Sequence, residues 1–255
     1  SGRPPGSVVT VDLTVAGQRF TLLNGGPAFT INPSISFFVF LATAAEVDGL
    51  AHALLDGGSA LMALDRYPWS ERYAWVMDRY GVSWQVMAAP DVKRATVAPC
   101  LMFTGAQHGR AREAIDAYAA AFGGSRVDFI DTHDGAEGPA GTVKHGRFAL
   151  AGQPMAAMDS AFEHGFGFNE AVSLQAMCAD QAEVDRLWTT LAEGGEHGPC
   201  GWLKDRFGVS WQVVPEALAG WLTSPDVAAR ERTFAALLEM GKLDVEGLRR
   251  AYDGG

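Results

Sequence analysis

His164 and His197 each sit in a glycine-rich stretch, "EHGFG" and "EHGPCG", where an imidazole titrating near neutral pH is placed to act as a general base. Cys200, in the second stretch, reads either as a small buried residue or as a reactive thiol. Phe162, Phe166 and Phe168 in "AFEHGFGFN" set rings among glycines. Rings on such a loop gain little from core packing, so they suit a lid over a bound molecule. Trp202 and Trp211, with Trp75 and Trp84, have two readings: an apolar wall for a planar ligand, or core packing at strand spacing. His133 in "DTHDG" reads as a solvated turn histidine.

These side chains must be positioned by elements, and the chain outlines its elements by repeating itself. "DRYGVSWQV" at 78–86 returns as "DRFGVSWQV" at 205–213, "AEVDGLAHALLDGG" at 45–58 as "AEVDRLWTTLAEGG" at 182–195, and "GSVVTVDLTVAGQRFTLLN" at 6–24 is matched by "GTVKHGRFALAGQPMAAMD" at 141–159. The first copy carries ten extra residues within "SALMALDRYPWSERY", which reads as a hairpin extension. β-formers on either side of Ala-Gly-Gln predict a hairpin in each copy. "SISFFVFLA" and "AVSLQAMCA" predict single strands. Val184, Leu187, Trp188 and Leu191, spaced i, i+3, i+4 and i+7, predict an amphipathic helix that ends at a Gly-Gly pair. In "GVSWQVV" the alternation sets Val209, Trp211 and Val213 on one side and Ser210, Gln212 and Val214 on the other.

Only the second copy has an upstream half: a strand "TVAPCLMFTG", a helix "REAIDAYAAAFGG" and a strand "SRVDFIDT". Residues 96–215 therefore read as two successive β-α-β-β-β modules, and 6–87 supplies the later two thirds of the same pattern. The expected fold is α+β, built of paired βαβββ modules in tandem domains. The expected divisions are 1–92, lacking its first strand, helix and second strand; 93–220, complete; and a helical tail, 221–255, with helices over 227–240 and 244–252.

Composition narrows the function. A chain of 255 residues, 48% hydrophobic and 20% charged, suits a globular protein of one or two domains. A net charge of −10 with no basic stripe argues against nucleic acid, whose binding draws on clustered Lys and Arg. Cys100, Cys178 and Cys200 form no CxxC pair, so neither a disulfide framework nor a thiolate zinc site is indicated. No stretch reaches 18 apolar residues, and "SGRPPGS" has no signal-peptide pattern, so the expectation is a cytoplasmic protein without a membrane span.

Residues 168–218, from "FNEAVSLQAMCADQAEVDRLW" to "GWLKDRFGVSWQVVPEAL", with "APCLMFTG" at 98–105 and the tail "LLEMGKLDVEGLRRAY", resemble the PhnB-like branch of the vicinal oxygen chelate superfamily. That superfamily includes glyoxalase I, fosfomycin resistance enzymes, extradiol dioxygenases and bleomycin-binding proteins, and the branch is often labelled demethylubiquinone methyltransferase. The resemblance is close over about 96–252 and looser over 6–90. It implies paired modules around a cleft, a small-molecule ligand, and one chain doing what relatives often achieve as a homodimer; a further homodimer remains open.

It also implies where a metal would sit. Metal-binding relatives end on a pattern like D-x-x-G-x-x-x-E, and Gln212 stands at the Glu position here, Gln85 in the first copy. A carboxamide binds a divalent ion more weakly than a carboxylate. Asp159 is the one charged contributor, against Asn24 in the first copy, while the neighbouring strand offers Ser173 and Gln175. No cofactor is expected on this set, a divalent metal at Asp159 and Gln212 being the weaker alternative. The ligand-binding candidates are thus Asp159, Phe162, Phe166, Phe168, Ser173, Gln175, Trp202, Trp211 and Gln212.

"FTGAQHGR" lacks G-x-G and the pattern after it is hairpin-rich, so a Rossmann-type methyltransferase is not expected. Two functions remain: a small-molecule binding or sequestering module with an apolar aromatic cleft, or a superfamily enzyme of lyase, isomerase or dioxygenase type acting on a small oxygen-rich or aromatic metabolite.

Overall fold

The computed structural model describes residues 7–255, which leaves the opening "SGRPPG" outside the description. The chain forms two compact units, 1–167 and 168–255. The second repeat copy therefore contributes to both.

The first unit opens with a hairpin of β1 (Thr10–Val15) and β2 (Gln18–Leu23). A module follows: β3 (Ile35–Leu41), α1 (Ala44–Leu55), β4 (Ser59–Tyr67), β5 (Ser70–Met77) and β6 (Ser83–Ala88). The extra residues of the first copy lengthen the β4–β5 hairpin. The next module is β7 (Thr96–Phe103), α2 (Ala111–Ala121), β8 (Arg126–Thr132), β9 (Val143–Leu150) and β10 (Gln153–Asp159). Their strands merge into one eight-stranded sheet, order β4-β5-β6-β3-β7-β10-β9-β8. The seam is an antiparallel pairing of the two first strands, with Ser36 opposite Cys100 and Phe38 opposite Ala98.

The second unit holds the last module: β11 (Ser173–Cys178), α3 (Gln181–Leu191), β12 (Glu196–His197), β13 (Trp202–Lys204) and β14 (Ser210–Pro215), in the order β11-β14-β13-β12. The tail forms α4 (Glu216–Leu222), α5 (Val227–Leu238) and α6 (Val245–Asp253). Leu218, Leu237, Leu243 and Leu248 bury together there, with Cys200 packed against them.

Local chemistry accounts for the repeated words. Each "DRxG" turn is clamped by its aspartate. Asp78 accepts the backbone N–H groups of Tyr80 and Val82 and, at 2.9 Å, the indole N–H of Trp84. Asp205 does the same for Phe207, Val209 and, at 2.8 Å, Trp211. The aspartate and the tryptophan six residues on form one device that fixes the turn entering the last strand. The Gly-Gly pairs are required by close approach: a Cβ on Gly195 would lie 2.1 Å from the Lys204 carbonyl, and one on Gly58 2.5 Å from those of Leu54 and Met77. Thr43 and Glu46 form a reciprocal capping box on α1, and Asp180 caps α3 through the Glu183 N–H.

In the first unit both helices cover one face of the sheet. Ala51 of α1 packs with Ala74 and Val76, and Ile115 of α2 sits where a Cβ on Gly146 would meet it. Neighbouring rows point to the other face, where Phe38, Phe40, Tyr73, Ala98, Cys100 and Ala156 form a core with Trp75, Met87 and Met158. In the second unit Val184, Leu187, Trp188 and Leu191 of α3 are buried, as are Trp211 and Val213.

Candidate ligand-binding site

The helix-free face of the eight-stranded sheet builds a recess from unequal side chains. Its middle strands, β7 and β10, offer small residues there: Ala98, Cys100 and Ala156. The strands flanking them, β3 and β9, offer long ones. Because side chains alternate along a strand, His145 and Arg147 share this face with their register neighbours Asp131 and Phe129. β3 and β9 lie three strand spacings apart, about 14 Å on a flat sheet. Even so, the His145 ring stands 5.4 Å from Phe38 and the Arg147 guanidinium carbon 5.1 Å above the Phe40 ring. These side chains arch over the two middle strands.

Beside that arch lies a cavity of about 130 Å³, bounded by Phe40, Thr96, Ala98, Arg126, Arg147 and Pro154 among others. Its electrostatics are uneven. Arg126 is matched by Asp128 at 2.7 Å, whereas Arg147 has no ion pair among the described residues and is exposed. Burial, and then the neighbouring Arg147 cation, push the His145 pKa down to about 4 against a weaker upward pull from Asp131, so the ring is neutral at physiological pH.

Deeper under the seam lies a closed polar network. The Tyr73 hydroxyl donates to Gln85 Oε1 at 2.7 Å, and Gln85 Nε2 donates to Ser36 Oγ at 2.9 Å. Burial pushes the Cys100 thiol up to about 12, which makes it an inert member of this cluster. Gln85 itself is 1% exposed.

The last module repeats the Gln–Ser bond in a more open setting. Gln212 Nε2 donates to Ser173 Oγ at 2.8 Å, and Gln175 Nε2 donates to Gln212 Oε1 at 3.3 Å. Trp202 is the register neighbour of Gln212, so Ser173, Gln175, Trp202 and Gln212 share one sheet face. Gln175 is exposed, and Gln212 and Trp202 are half-buried. Trp211 lies on the opposite face, 2% exposed. His197 stacks flat on Trp188 of α3, rings 4.8 Å apart. Cys200 holds a positive φ of 56° in a loop, its thiol pKa raised by burial.

Asp159 ends β10 in the first unit. Its Oδ1 accepts the backbone N–H groups of Gly109 (2.7 Å) and Ala111 (3.2 Å), and Oδ2 that of Val143 (2.8 Å). The carboxylate thus ties the start of α2 to the start of β9. Past it, the loop holds Ser160 Oγ 2.7 Å from His164 Nε2, with His164 ringed by Phe162 and Phe166. Phe162 is 75% exposed, and the Phe166 carbonyl accepts the Thr104 hydroxyl. Burial lowers the His164 pKa. Phe168 belongs to the second unit, against Gly208.

These donors do not suit a divalent cation. Both Asp159 oxygens are occupied by backbone N–H groups, and the Gln212 amide is bonded at both ends. Among the described residues no three His, Cys, Asp or Glu side chains cluster with metal-binding geometry.

The residues that shape the cavity were not among the sequence candidates. The alternation in "VKHGRFAL" carries the signal that His145 and Arg147 share a face, but the presence of Phe40 opposite them depends on the long-range β3–β7 pairing.

A family model described as 3-demethylubiquinone-9 3-methyltransferase matches residues 1–87 and 95–214. A solved PhnB protein from Bacillus cereus, described as a putative 3-demethylubiquinone-9 3-methyltransferase, is 35% identical over 46% of this chain and 95% of its own, with a TM-score of 0.42. Glyoxalase I from Zea mays is 13% identical over 77% of this chain and 73% of its own, with a TM-score of 0.50, a likeness of fold alone. A fosfomycin resistance protein from Mesorhizobium loti is 14% identical over 48% of this chain and 94% of its own, with a TM-score of 0.33. No curated protein matches the chain.

Proposed function

We propose, given that this chain belongs to the family described as 3-demethylubiquinone-9 3-methyltransferase, a PhnB-like branch of the vicinal oxygen chelate superfamily, that it is a cytoplasmic protein that binds or sequesters a small apolar or aromatic molecule. The observation that carries the reading is the cavity beside the β3–β9 arch, where the small Ala98 on a middle strand leaves room bounded by Phe40 and Arg147. Binding between an apolar floor and a few polar groups is the usual form of a small-molecule site. Among the described residues no helix is long and apolar enough to cross a membrane.

Methyl transfer is not supported by the fold. A Rossmann-type transferase places its cofactor over a doubly wound parallel sheet. Here the parallel contacts are limited to the first and last strands of each module, and hairpins join the rest. The alternative of enzymatic turnover draws on the Ser160–His164 hydrogen bond, since a neutral imidazole beside a hydroxyl is the arrangement that activates a nucleophile. Toluene titrated into the protein should bind by calorimetry, and Thr96→Phe, which fills the cavity rim, should weaken binding at least tenfold. Chromatography of the added compound after incubation separates binding from turnover. Unchanged binding in the variant would remove the cavity from the proposal.

A second copy of the chain is the partner we favour. β11 pairs with β14 alone among the described residues, whereas its counterpart in the repeat, β3, is flanked by both β6 and β7. β11 carries no charged side chain to oppose strand addition at this edge, and Met177 is 39% exposed. Two first strands run antiparallel at the unit 1 seam, a geometry that a twofold axis between copies reproduces at β11. The chain should sediment as a dimer and Met177→Lys as a monomer with unchanged far-UV circular dichroism. A monomeric parent chain would refute the pairing.

A further inference from the structure

Arg147 raises the question of what its guanidinium is for. It stands at the cavity without a carboxylate partner among the described residues, and it lies over two rings, 5.1 Å from the Phe40 centroid and 5.7 Å from that of Phe129. Stacking on ring faces fixes the plane of a guanidinium and replaces part of its hydration, while its N–H donors around the edge stay available. A planar fork of donors held in this way matches a carboxylate, which can accept two parallel hydrogen bonds.

The charges nearby support that occupant. Arg126 and Asp128 neutralise each other at the cavity wall, so Arg147 leaves the opening with a single net positive charge. His145, the next residue on the same face of β9, is held neutral and adds no charge. Besides the paired Asp128, the other acidic group on β8 is Asp131, the register neighbour of His145, which lies one row beyond Phe129. Apart from the Thr96 hydroxyl the remaining boundary is apolar, with Phe40, Ala98, Pro154 and Met155 among it. A cavity of about 130 Å³ is also small. It compares with the roughly 150 Å³ that accommodates benzene, and falls short of the ~300 Å³ or more of drug-sized sites.

We infer that the cavity beside Arg147 binds a small organic carboxylate, its apolar body against Ala98 and Pro154 and its carboxylate on the Arg147 guanidinium. This rests on the cavity being the binding site proposed above and names the chemical class of its ligand. The geometry favours a carboxylate on a body about the size of one six-membered ring.

The experiment compares benzoate, its neutral isostere benzamide, and inorganic phosphate, titrated by calorimetry into the parent chain, Arg147→Gln and Arg147→Lys. Because Arg147 is exposed, both variants should keep the parent circular dichroism and a cooperative melt, Arg147→Gln losing only the few degrees that its stacking on Phe40 and Phe129 is worth. Benzoate should bind the parent chain at least tenfold more tightly than benzamide. Arg147→Gln should lose that tenfold preference, and Arg147→Lys, which keeps the charge without the fork, should recover part of it. Phosphate should neither bind with comparable affinity nor displace benzoate at equal concentration. Equal affinity for benzoate and benzamide, or full benzoate binding in Arg147→Gln, overturns the carboxylate assignment and leaves the apolar site standing. Tighter binding of phosphate than of benzoate replaces it with a general anion site. Absence of binding by both benzoate and benzamide overturns the cavity as a binding site along with the inference.

Discussion

Asp159→Ala should destabilise the protein by about 3–5 kcal/mol, since it deprives three backbone N–H groups of their shared acceptor and leaving a buried donor unpaired costs roughly 1–3 kcal/mol. The residue is 5% exposed, so water has poor access to replace it. Two of the donors, Gly109 and Ala111, stand at the entry to α2, where a negative charge also opposes the positive end of the helix dipole. The third, Val143, begins β9, the strand that carries His145 and Arg147. In a chain of this size the expected loss in melting temperature is of the order of 10 °C. Asp159→Asn should fall between, because the amide keeps one acceptor and turns a donor toward the other N–H. A carboxylate that served mainly as a metal ligand would behave differently: chelator would destabilise the parent chain by as much as the substitution does. Urea denaturation of the parent chain, with and without chelator, and of both variants checks this. A stability change in Asp159→Ala below about 1 kcal/mol would contradict the structural role, being no more than a single exposed hydrogen bond is worth.

That aspartate also shows where sequence reasoning succeeds. Its position at the end of a strand, charged where its counterpart is Asn24, marks it as unusual, and the repeat places it correctly on the fourth strand of its module. What occupies its oxygens cannot be read locally, because Gly109 and Ala111 lie some fifty residues upstream. The modules themselves were legible. The spacing of Val184, Leu187, Trp188 and Leu191 describes the buried face of α3, and the alternation in "GVSWQVV" separates the Trp211 face from the Gln212 face as the sheet does. Each is a local period meeting a local neighbour. The repeated phrase is legible in a further sense, since Asp78–Trp84 and Asp205–Trp211 make equivalent hydrogen bonds.

The pairing of modules is a different kind of information. Ser36 and Ser173 are equivalent in the repeat and bind Gln85 and Gln212 alike, yet Gln85 is sealed under the β3–β7 seam while Gln175 beside Gln212 is exposed. Identical local words thus end in unlike surroundings, and attention drawn to the second copy by Asp159 and its phenylalanines passes over Arg147. Residue type alone gives no sign that an arginine in an ordinary strand will lie over Phe40, more than a hundred positions away.

His145 supplies the other large effect, and its sign follows from burial. The folded state holds its pKa at about 4, chiefly by desolvation and then by the Arg147 cation, while an unfolded histidine titrates near 6.5. Above pH 6.5 both states carry a neutral ring and stability is unaffected. As pH falls from 6.5 to 4 the unfolded chain takes up a proton that the folded chain refuses, so stability drops, by roughly 3 kcal/mol in total at 1.36 kcal/mol per unit. Carboxylates titrate over part of the same range, among them Glu170 and Asp185, whose pKa values are lowered by Lys204 and Lys242. A comparison with His145→Gln removes their contribution. The variant should be the less stable protein at pH 7.5, where it loses the packing of His145 on Phe38 and Phe129, and the gap should narrow or reverse by pH 4.5. Arg147→Gln should shift the His145 titration upward in an NMR experiment, as should benzoate bound on the guanidinium, because each reduces the positive potential at the ring. Parallel stability profiles for the parent chain and His145→Gln between pH 4.5 and 7.5 would mean that the ring is protonated or solvated in the folded state, and would place it outside the arch that closes over β7 and β10.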